Sequence, residues 1–375
     1  MQKKIRVGLI FGGRSGEHEV SIASALSIFN ALDKSRYEVS LIAIDKEGRW
    51  LLPDPKPILA QASNPMAVKL GGSREVFGVV PFPNTHAMVP LQGSAAHNEV
   101  PQLDVVLPIL HGTYGEDGTI QGLLELAQIP YAGSGVLGSS VGMDKDVSRR
   151  LLKAAGINTV PTIALRKQKY LSQMDVEERR LLAEFKFPFF VKPANAGSSV
   201  GVHKVKTLDQ LRPALKDAFD FDVKVLVEKS VAARELECAI LGNENPRASI
   251  VGEIVPRHEF YSYEAKYLDD NGADLCIPAK DVPPEILEKV RAQAIAAFQT
   301  LECRGMARVD FFLDKITGEL FLNEINTIPG FTKISMYPKL WEASGLKYSE
   351  LLDELIRLAL ENASDRKALK TTYEV

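Results

Sequence analysis

The sequence predicts an α/β fold spread over more than one domain, and three observations carry that expectation. The chain has 375 residues, a length that suggests two or three domains at roughly 100 to 200 residues each. It is 45% hydrophobic and 25% charged, so a chain of this size can bury about three quarters of its unfolded surface without disulfide staples or structural metal. Short apolar runs alternate with helix-periodic stretches through the first third, which is the grammar of βαβ units. Ordinary Gly and Pro counts argue against disorder and collagen. A net charge of -3 gives no bias toward nucleic acid or an anionic membrane.

Ile5 to Phe11 is a continuous apolar run closed by Gly12 and Gly13, as expected of a parallel strand buried on both faces. Basic residues precede it, but the run is too short for a leader peptide and meets Arg14 and Glu17 without a small-residue cleavage site. Glu19 to Leu32 has apolar residues at helical spacing, Tyr37 to Ile44 reads as a second strand, and Val105 to Leu110 as another. Ligands of such a domain gather at the carboxyl ends of its strands. Residues 51 to 103 are rich in Pro, Gly, Ser and Asn and receive no role, with His86 and His97 read as surface residues. The uncharged stretch Leu126 to Met143 approaches spanning length but holds Pro130, four glycines and three serines, so it reads as a loop with helix ends and not a membrane span. Beyond it come a helix over Asp144 to Ala155, an amphipathic stretch over Val176 to Phe185, and strands at Pro188 to Val191, Val200 to Val205 and Val223 to Glu228. Cys238, Cys276 and Cys303 are too scattered for a disulfide framework or a metal site, and they read as core or near-core thiols in a reducing cytoplasm.

Five segments could carry chemistry. GGRSGEHEVS (12 to 21) sits at a strand-to-helix turn, where glycines admit a ligand. It lacks the GxGxxG fingerprint of dinucleotide sites, and its carboxylates suit an ammonium better than a phosphate; a plain capped turn explains it equally well. HGTYGEDG (111 to 118) follows a strand and gathers one His and two acids among three glycines. His111 has the stronger functional claim there, while Glu116 and Asp117 read singly as solvated turn residues. VKPANAGSSVGV (191 to 202) suggests a glycine flap over phosphates with Lys192 beneath, or else a glycine hairpin with a surface lysine; it is no Walker loop, and no GxxxxGK[ST] exists in the chain.

The most informative segment is 305 to 331. Alternation puts Arg308 and Asp310 on one face of a strand and Glu324 and Asn326 on one face of the next. A three-residue loop at Ile316, Thr317 and Gly318 would set Asp310 opposite Glu324 and Arg308 opposite Asn326. Two acids and an amide oxygen form a hard, sparse set suited to Mg²⁺ shared with nucleotide phosphates; an internal salt bridge to Arg308 is the structural alternative. Residues 259 to 279 hold three tyrosines and Lys266 with no helical or strand period, and read as a long loop of lid type or as surface decoration.

In order and residue type these motifs, with MDKDVSRRLL, EAKY and NEINTIPGFTKISMYPKLW, resemble the ATP-grasp ligases, and among them the D-alanine:D-alanine ligase family, over nearly the whole chain. The resemblance implies an α/β chain, α+β in its ATP-grasp part, of three domains: a Rossmann-like substrate domain (1 to 133), a central subdomain with the glycine-rich loop (134 to 228), and a C-terminal subdomain with lid and metal site (229 to 375). It implies ATP-dependent joining of two D-alanines through a D-alanyl phosphate, for peptidoglycan precursors, by a homodimer. It assigns ATP to Lys145, Lys192, Gly197, Ser198, Ser199, Glu228, Lys229, Val231 and Glu235, and two Mg²⁺, with Mn²⁺ as a possible substitute, to Asp310, Glu324 and Asn326. Glu17 and His111 fall where the first D-alanine binds, and Ser198 and Tyr267 join Glu17 to pin the lid. Lys266, Arg308, Gly330, Ser335 and Met336 fall where the second amino acid and the developing charge lie. A D-alanyl-D-lactate or D-alanyl-D-serine ligase is the nearest rival, disfavoured for lactate by Tyr267 in EAKY; a nucleotide-binding regulator without ligation is the more distant one.

Overall fold

Three β-sheets organise the described residues, and each is covered by apolar side chains. In the computed structural model, the residues described are 3–60, 76–80, 88–92, 101–197, 200–257, 273–332 and 334–370. The first sheet has the order β5-β4-β3-β2-β1-β6, with β1 at Ile5–Gly12, β2 at Tyr37–Ile44, β3 at Trp50–Leu51, β4 at Val76–Val79, β5 at Met88–Gln92 and β6 at Val105–Ile109. Both neighbours of β1 run parallel to it. Side chains on its two faces, Leu9 and Ile10 among them, are fully enclosed, which is why the segment reads as an unbroken apolar run. Because β1 leads on one side to β2 and lies on the other against β6, the loops leaving β1 and β6 emerge side by side at a switch point. The segment 51 to 103 proves partly structural: β3, β4 and β5 extend the sheet antiparallel at its edge. His86 and His97 lie outside the described residues.

The second sheet has the order β7-β10-β8-β9, with β7 at Thr162–Arg166, β8 at Phe189–Pro193, β9 at His203–Val205 and β10 at Lys224–Lys229. Helices Met174–Glu184 and Leu208–Phe221 cover it, burying Leu181, Leu211 and Leu215 against Phe189, Val225 and Val227. The strand expected from Val200 begins only at His203, because residues 200 and 201 are taken up by a turn.

The third sheet, β13-β12-β11-β14-β15, comprises β11 (Ala233–Gly242), β12 (Arg247–Pro256), β13 (Ala273–Cys276), β14 (Gly305–Asp314) and β15 (Leu320–Asn326). Strand β13 corrects part of the long-loop expectation for 259 to 279, since Ala273 to Cys276 pairs antiparallel with β12; residues 258–272 lie outside the described residues. Helix Pro284–Thr300 covers one face with Val290, Ala294 and Phe298, joined by Leu152 from helix Lys145–Ala154. Helices Met336–Ala343 and Tyr348–Lys367 cover the other, and their Tyr337, Leu351 and Leu355 share one core with Val7, Leu9 and Phe11 of β1. The first and third sheets are therefore joined by a common apolar core.

The β14–β15 hairpin has the expected pairing at the site but not the expected loop. Asp310 faces Glu324 and Arg308 faces Asn326, yet nearer the turn Leu313 faces Leu320. Asp314 N–H donates to Glu319 O, so the loop holds the four residues 315 to 318 instead of three. An irregularity after Asp310, where Phe311 pairs with Leu322, leaves Asn323 as an extra residue and restores the register one step later. All three cysteines are free, with Cys238 and Cys303 buried and Cys276 half-buried. No helix among the described residues is long and apolar enough to cross a membrane, the stretch Leu126 to Met143 included.

Candidate active site

The first wall of the site comes from the β1 and β6 loops. Glu17, only 8% exposed, immediately precedes helix His18–Ala31. Its amide donates to Ser15 Oγ at 3.2 Å, and Ser15 Oγ donates to His111 O at 2.8 Å, so the two loops are fastened together. His111 is buried, and its Nδ1 donates to Ile328 O at 2.9 Å, since a carbonyl only accepts. Ser24 Oγ lies 3.4 Å from Nε2 and accepts from Phe331 N at 3.2 Å, which leaves its O–H for the imidazole. Burial pushes the His111 pKa down, and this hydrogen-bond pattern is that of the neutral ring.

Glu116 departs from its expected role as a solvated turn residue. It is half-buried, and its carboxyl oxygens accept from Gly112 N at 2.9 Å and Ile328 N at 3.1 Å, bridging the first and third sheets. Desolvation, with the nearby charge of Glu17, raises its pKa to about 8. Asp117 does behave as a turn cap, accepting from Tyr114 N and Thr119 N.

The second wall is cationic. Asp144 caps helix Lys145–Ala154, accepting from Asp146 N and Val147 N, and it also takes the buried Lys224 ammonium at 2.6 Å. The helix start is thereby tied to β10, and Lys145 N donates to Ala194 O at the root of the glycine-rich loop. Lys145 Nζ donates to Ala196 O at 2.9 Å and lies 3.4 Å from Glu324. Lys192, on β8, is paired with Glu228 on β10 at 2.8 Å, and Arg149 meets the same carboxylate at 2.5 Å. Desolvation drives the Lys192 pKa down to about 8. Burial also opposes ionisation of Glu228, but Arg149 and Lys192 overcome it and hold the carboxyl below its ordinary range. The surface-lysine alternative for Lys192 is excluded, since that residue is 8% exposed. Gly197 brings the loop against Glu17: a Cβ there would stand 2.6 Å from Glu17 Oε2, so a larger residue would push the end of that carboxylate aside.

The third wall is the hairpin. Arg308 lies against Asp310 through Nε at 2.8 Å and Nη2 at 2.7 Å, and its Nε is 2.9 Å from Glu237 on β11. Burial works against the guanidinium, yet the carboxylates of Asp310 and Glu237 raise its pKa well above the ordinary value. Asn326 Nδ2 donates to Asp310 Oδ2 at 3.0 Å. The internal salt bridge to Arg308 is thus formed, on the same Asp310 carboxylate that the metal reading would use. Among the described residues no group of three or more His, Cys, Asp and Glu lies at metal-holding distance. Asp310 and Glu324 with Asn326 still fit a hard divalent cation, provided the amide turns its oxygen inward and nucleotide oxygens complete the shell.

One cleft of about 1920 Å³ runs between the three walls. Glu17 and His111 line it, as do Lys145, Lys192, Gly197 and Glu228, then Lys229, Val231 and Glu235 at the β10–β11 turn. Arg308, Asp310, Glu324 and Asn326 line it from the hairpin, and Gly330, Ser335 and Met336 from the segment after β15. Thr332 N donates to Ser335 Oγ at 3.0 Å, which closes the turn beside Gly330. Ser198, Ser199, Lys266 and Tyr267 lie outside the described residues. Glu116, Arg149 and Glu237 were missed from sequence. Glu237 stands two residues from Glu235 and directly before the apolar run Cys238 to Leu241, a signal that could have singled it out.

Residues 6–134 match the family described as D-ala D-ala ligase N-terminus, and residues 151–357 match D-ala D-ala ligase C-terminus. The chain is 52% identical over 371 residues to a D-alanine--D-alanine ligase A of Chromobacterium violaceum, covering 99% of each. It is 50% identical to that of Salmonella typhimurium, covering 98% of this chain and 99% of the relative. The solved D-alanine-D-alanine ligase from Coxiella burnetii superposes with a TM-score of 0.83 at 39% identity, covering 97% of this chain and 96% of that one. The VanG D-Ala:D-Ser ligase from Enterococcus faecalis superposes at 0.82 with 31% identity, covering 95% and 100%.

Proposed function

The chain belongs to the D-alanine–D-alanine ligase family, and from that premise we propose how its residues divide the work of the reaction. It is an ATP-dependent ligase of the ATP-grasp fold that joins D-alanine to D-alanine, with ATP and D-alanine as substrates and a divalent metal in use. The finer reading has two Mg²⁺ ions, replaceable by Mn²⁺, and a homodimer serving peptidoglycan precursor synthesis in the cytoplasm. Segments 1–133, 134–228 and 229–375 each supply one wall.

The observation that carries the division of roles is the meeting of two lysines and an acid-rich hairpin in one cleft. A carboxylate is a poor acyl donor. An oxygen of the first D-alanine carboxylate attacks the γ-phosphorus of ATP, the bond to the bridging oxygen breaks, and ADP leaves behind a D-alanyl phosphate. Glu17 receives the ammonium of that D-alanine, and the neutral His111 keeps its loop in place. Lys145 and Lys192 offset the repulsion between carboxylate and triphosphate, while Gly197, Ser198 and Ser199 close over the phosphates. Glu228, Lys229, Val231 and Glu235 take the adenine and ribose. Asp310, Glu324 and Asn326 would hold the divalent ions, which when bound would supply positive charge against the phosphates.

The amine of the second D-alanine then attacks the acyl carbon, the C–O bond to the phosphate breaks, and the proton lost from nitrogen leaves with the departing phosphate. Arg308 and the Gly330 N–H face the oxyanion, and losing one such donor costs about 3 to 4 kcal/mol. Lys266, Ser335 and Met336 shape the second amino-acid site, and Tyr267 with Ser198 and Glu17 pins the lid that keeps water from the acyl phosphate.

Phosphate release from ATP with D-alanine alone, followed by addition of D-lactate or D-serine, tests the assignment. Release with D-alanine alone, matched mole for mole by dipeptide, is the expected result. A preferred mixed product would reassign the second site, and no release with any D-amino acid would overturn the reading.

A further inference from the structure

Three carboxylates lie in one row across three strands of the third sheet. Glu237 on β11 pairs with Asp310 on β14, and Asp310 pairs with Glu324 on β15. Arg308 stands two residues from Asp310 on the same face, opposite the small, fully buried Ala239, which leaves the guanidinium room to lie along the row. Its Nε is 2.8 Å from Asp310 Oδ1 and 2.9 Å from Glu237 Oε2, and its Nη2 is 2.7 Å from Asp310 Oδ2. The Glu237 side chain is only 7% exposed. Burying a carboxylate so deeply is costly unless a cation is fixed beside it.

The two carboxylates have different futures. Asp310 is assigned above to a divalent cation, and a cation that takes its oxygens draws them away from the guanidinium fork. Glu237 reaches Arg308 at Nε from the neighbouring strand on the other side of β14. We propose that Glu237 is a positioning residue: it holds Arg308 in place while Asp310 exchanges the guanidinium for the divalent ion. The inference rests on the assignment of Asp310 to metal. With Glu237 ionised, Arg308 releases Asp310 at little cost. With its charge removed, Arg308 holds Asp310 and competes with the metal, and the guanidinium drifts once Asp310 is taken.

The test uses the full chain and Mn²⁺ as the probe, read by electron paramagnetic resonance without substrates, beside steady-state kinetics. Glu237→Gln keeps the shape and removes the charge. It is expected to weaken Mn²⁺ binding by about 10- to 100-fold and to lower kcat by about 100-fold, with KM for ATP within about twofold. Glu237→Asp restores the charge and is expected to recover part of both losses. Unchanged Mn²⁺ affinity and kcat in Glu237→Gln, with Asp310→Asn weakening Mn²⁺ binding, would overturn this proposal alone. Unchanged Mn²⁺ binding in Asp310→Asn would overturn the metal assignment beneath it. Should Glu237→Gln not fold, ¹⁵N-arginine spectra of the unaltered protein decide the matter. An Arg308 Nε–H signal, assigned by its loss in Arg308→Lys, is expected to stay protected from solvent exchange at saturating Mg²⁺, and its loss of protection would overturn the proposal.

Discussion

Glu116 shows how far one side chain departs from its sequence reading once a second sheet arrives. An acid between glycines in a polar loop is ordinarily solvated. Here Ile328 N, from a residue 212 positions away, closes over it, and desolvation raises its pKa to about 8. The folded protein therefore binds a proton that the unfolded chain has already lost near pH 4.5, the ordinary value. The resulting stabilisation is complete below that pH and disappears as pH rises through about 8. Thermal melts are expected to show a decline in Tm between about pH 5 and pH 8 that Glu116→Gln, which cannot ionise, removes. An identical pH profile in the variant would show that the carboxyl ionises as freely folded as unfolded. His111 stood out in the sequence because it directly follows a buried strand, and it does line the cleft. Glu116, one of a pair of acids, was not, because its partner Asp117 does remain a turn cap.

Among elements, the helix Lys145–Ala154 and the β14–β15 hairpin make opposite points. A helix beginning at Asp144 was legible, but neither duty of that residue was: its carboxylate caps the helix and neutralises Lys224, which is 5% exposed. Asp144→Ala removes a cap worth about 1 kcal/mol and leaves a buried ammonium short of its nearest partner, so urea denaturation is expected to show a loss of about 3 to 5 kcal/mol. Asp144→Asn keeps the cap and is expected to lose less; equal losses would mean that the cap and not the charge carries the effect. In the hairpin, alternation and Gly318 in the left-handed region at φ 70° were correct, and the loop length was one residue short. The pairing of Asp310 with Glu324 survived because the extra residue at Asn323 cancelled that error. Turn residues constrain a hairpin loop only to within a residue, and a bulge depends on neighbours in space, so neither could be counted from the chain.

At the scale of the whole molecule the cleft exists because the first and third sheets are held together. Gly305, at φ +72°, would place a Cβ 2.9 Å from the backbone nitrogen of Gly133, so two chain segments touch there with no room for a side chain. Gly305→Ala combines left-handed strain with overpacking and is expected to cost about 2 to 5 kcal/mol in denaturant titration. A loss below about 1 kcal/mol would mean that the junction yields easily. Sequence by itself determined the buried parallel strand β1, the helices with their apolar periodicity, the acids of the hairpin and the ligase family, because these follow from local periodicity and from residue types at fixed spacing. Only the tertiary structure decided which cation neutralises which acid, that Glu237 is enclosed and Glu116 held half-buried by Ile328, and that helices Met336–Ala343 and Tyr348–Lys367 share a core with β1. Those outcomes depend on burial and on charges brought together from distant positions, and neither quantity exists until the chain has packed.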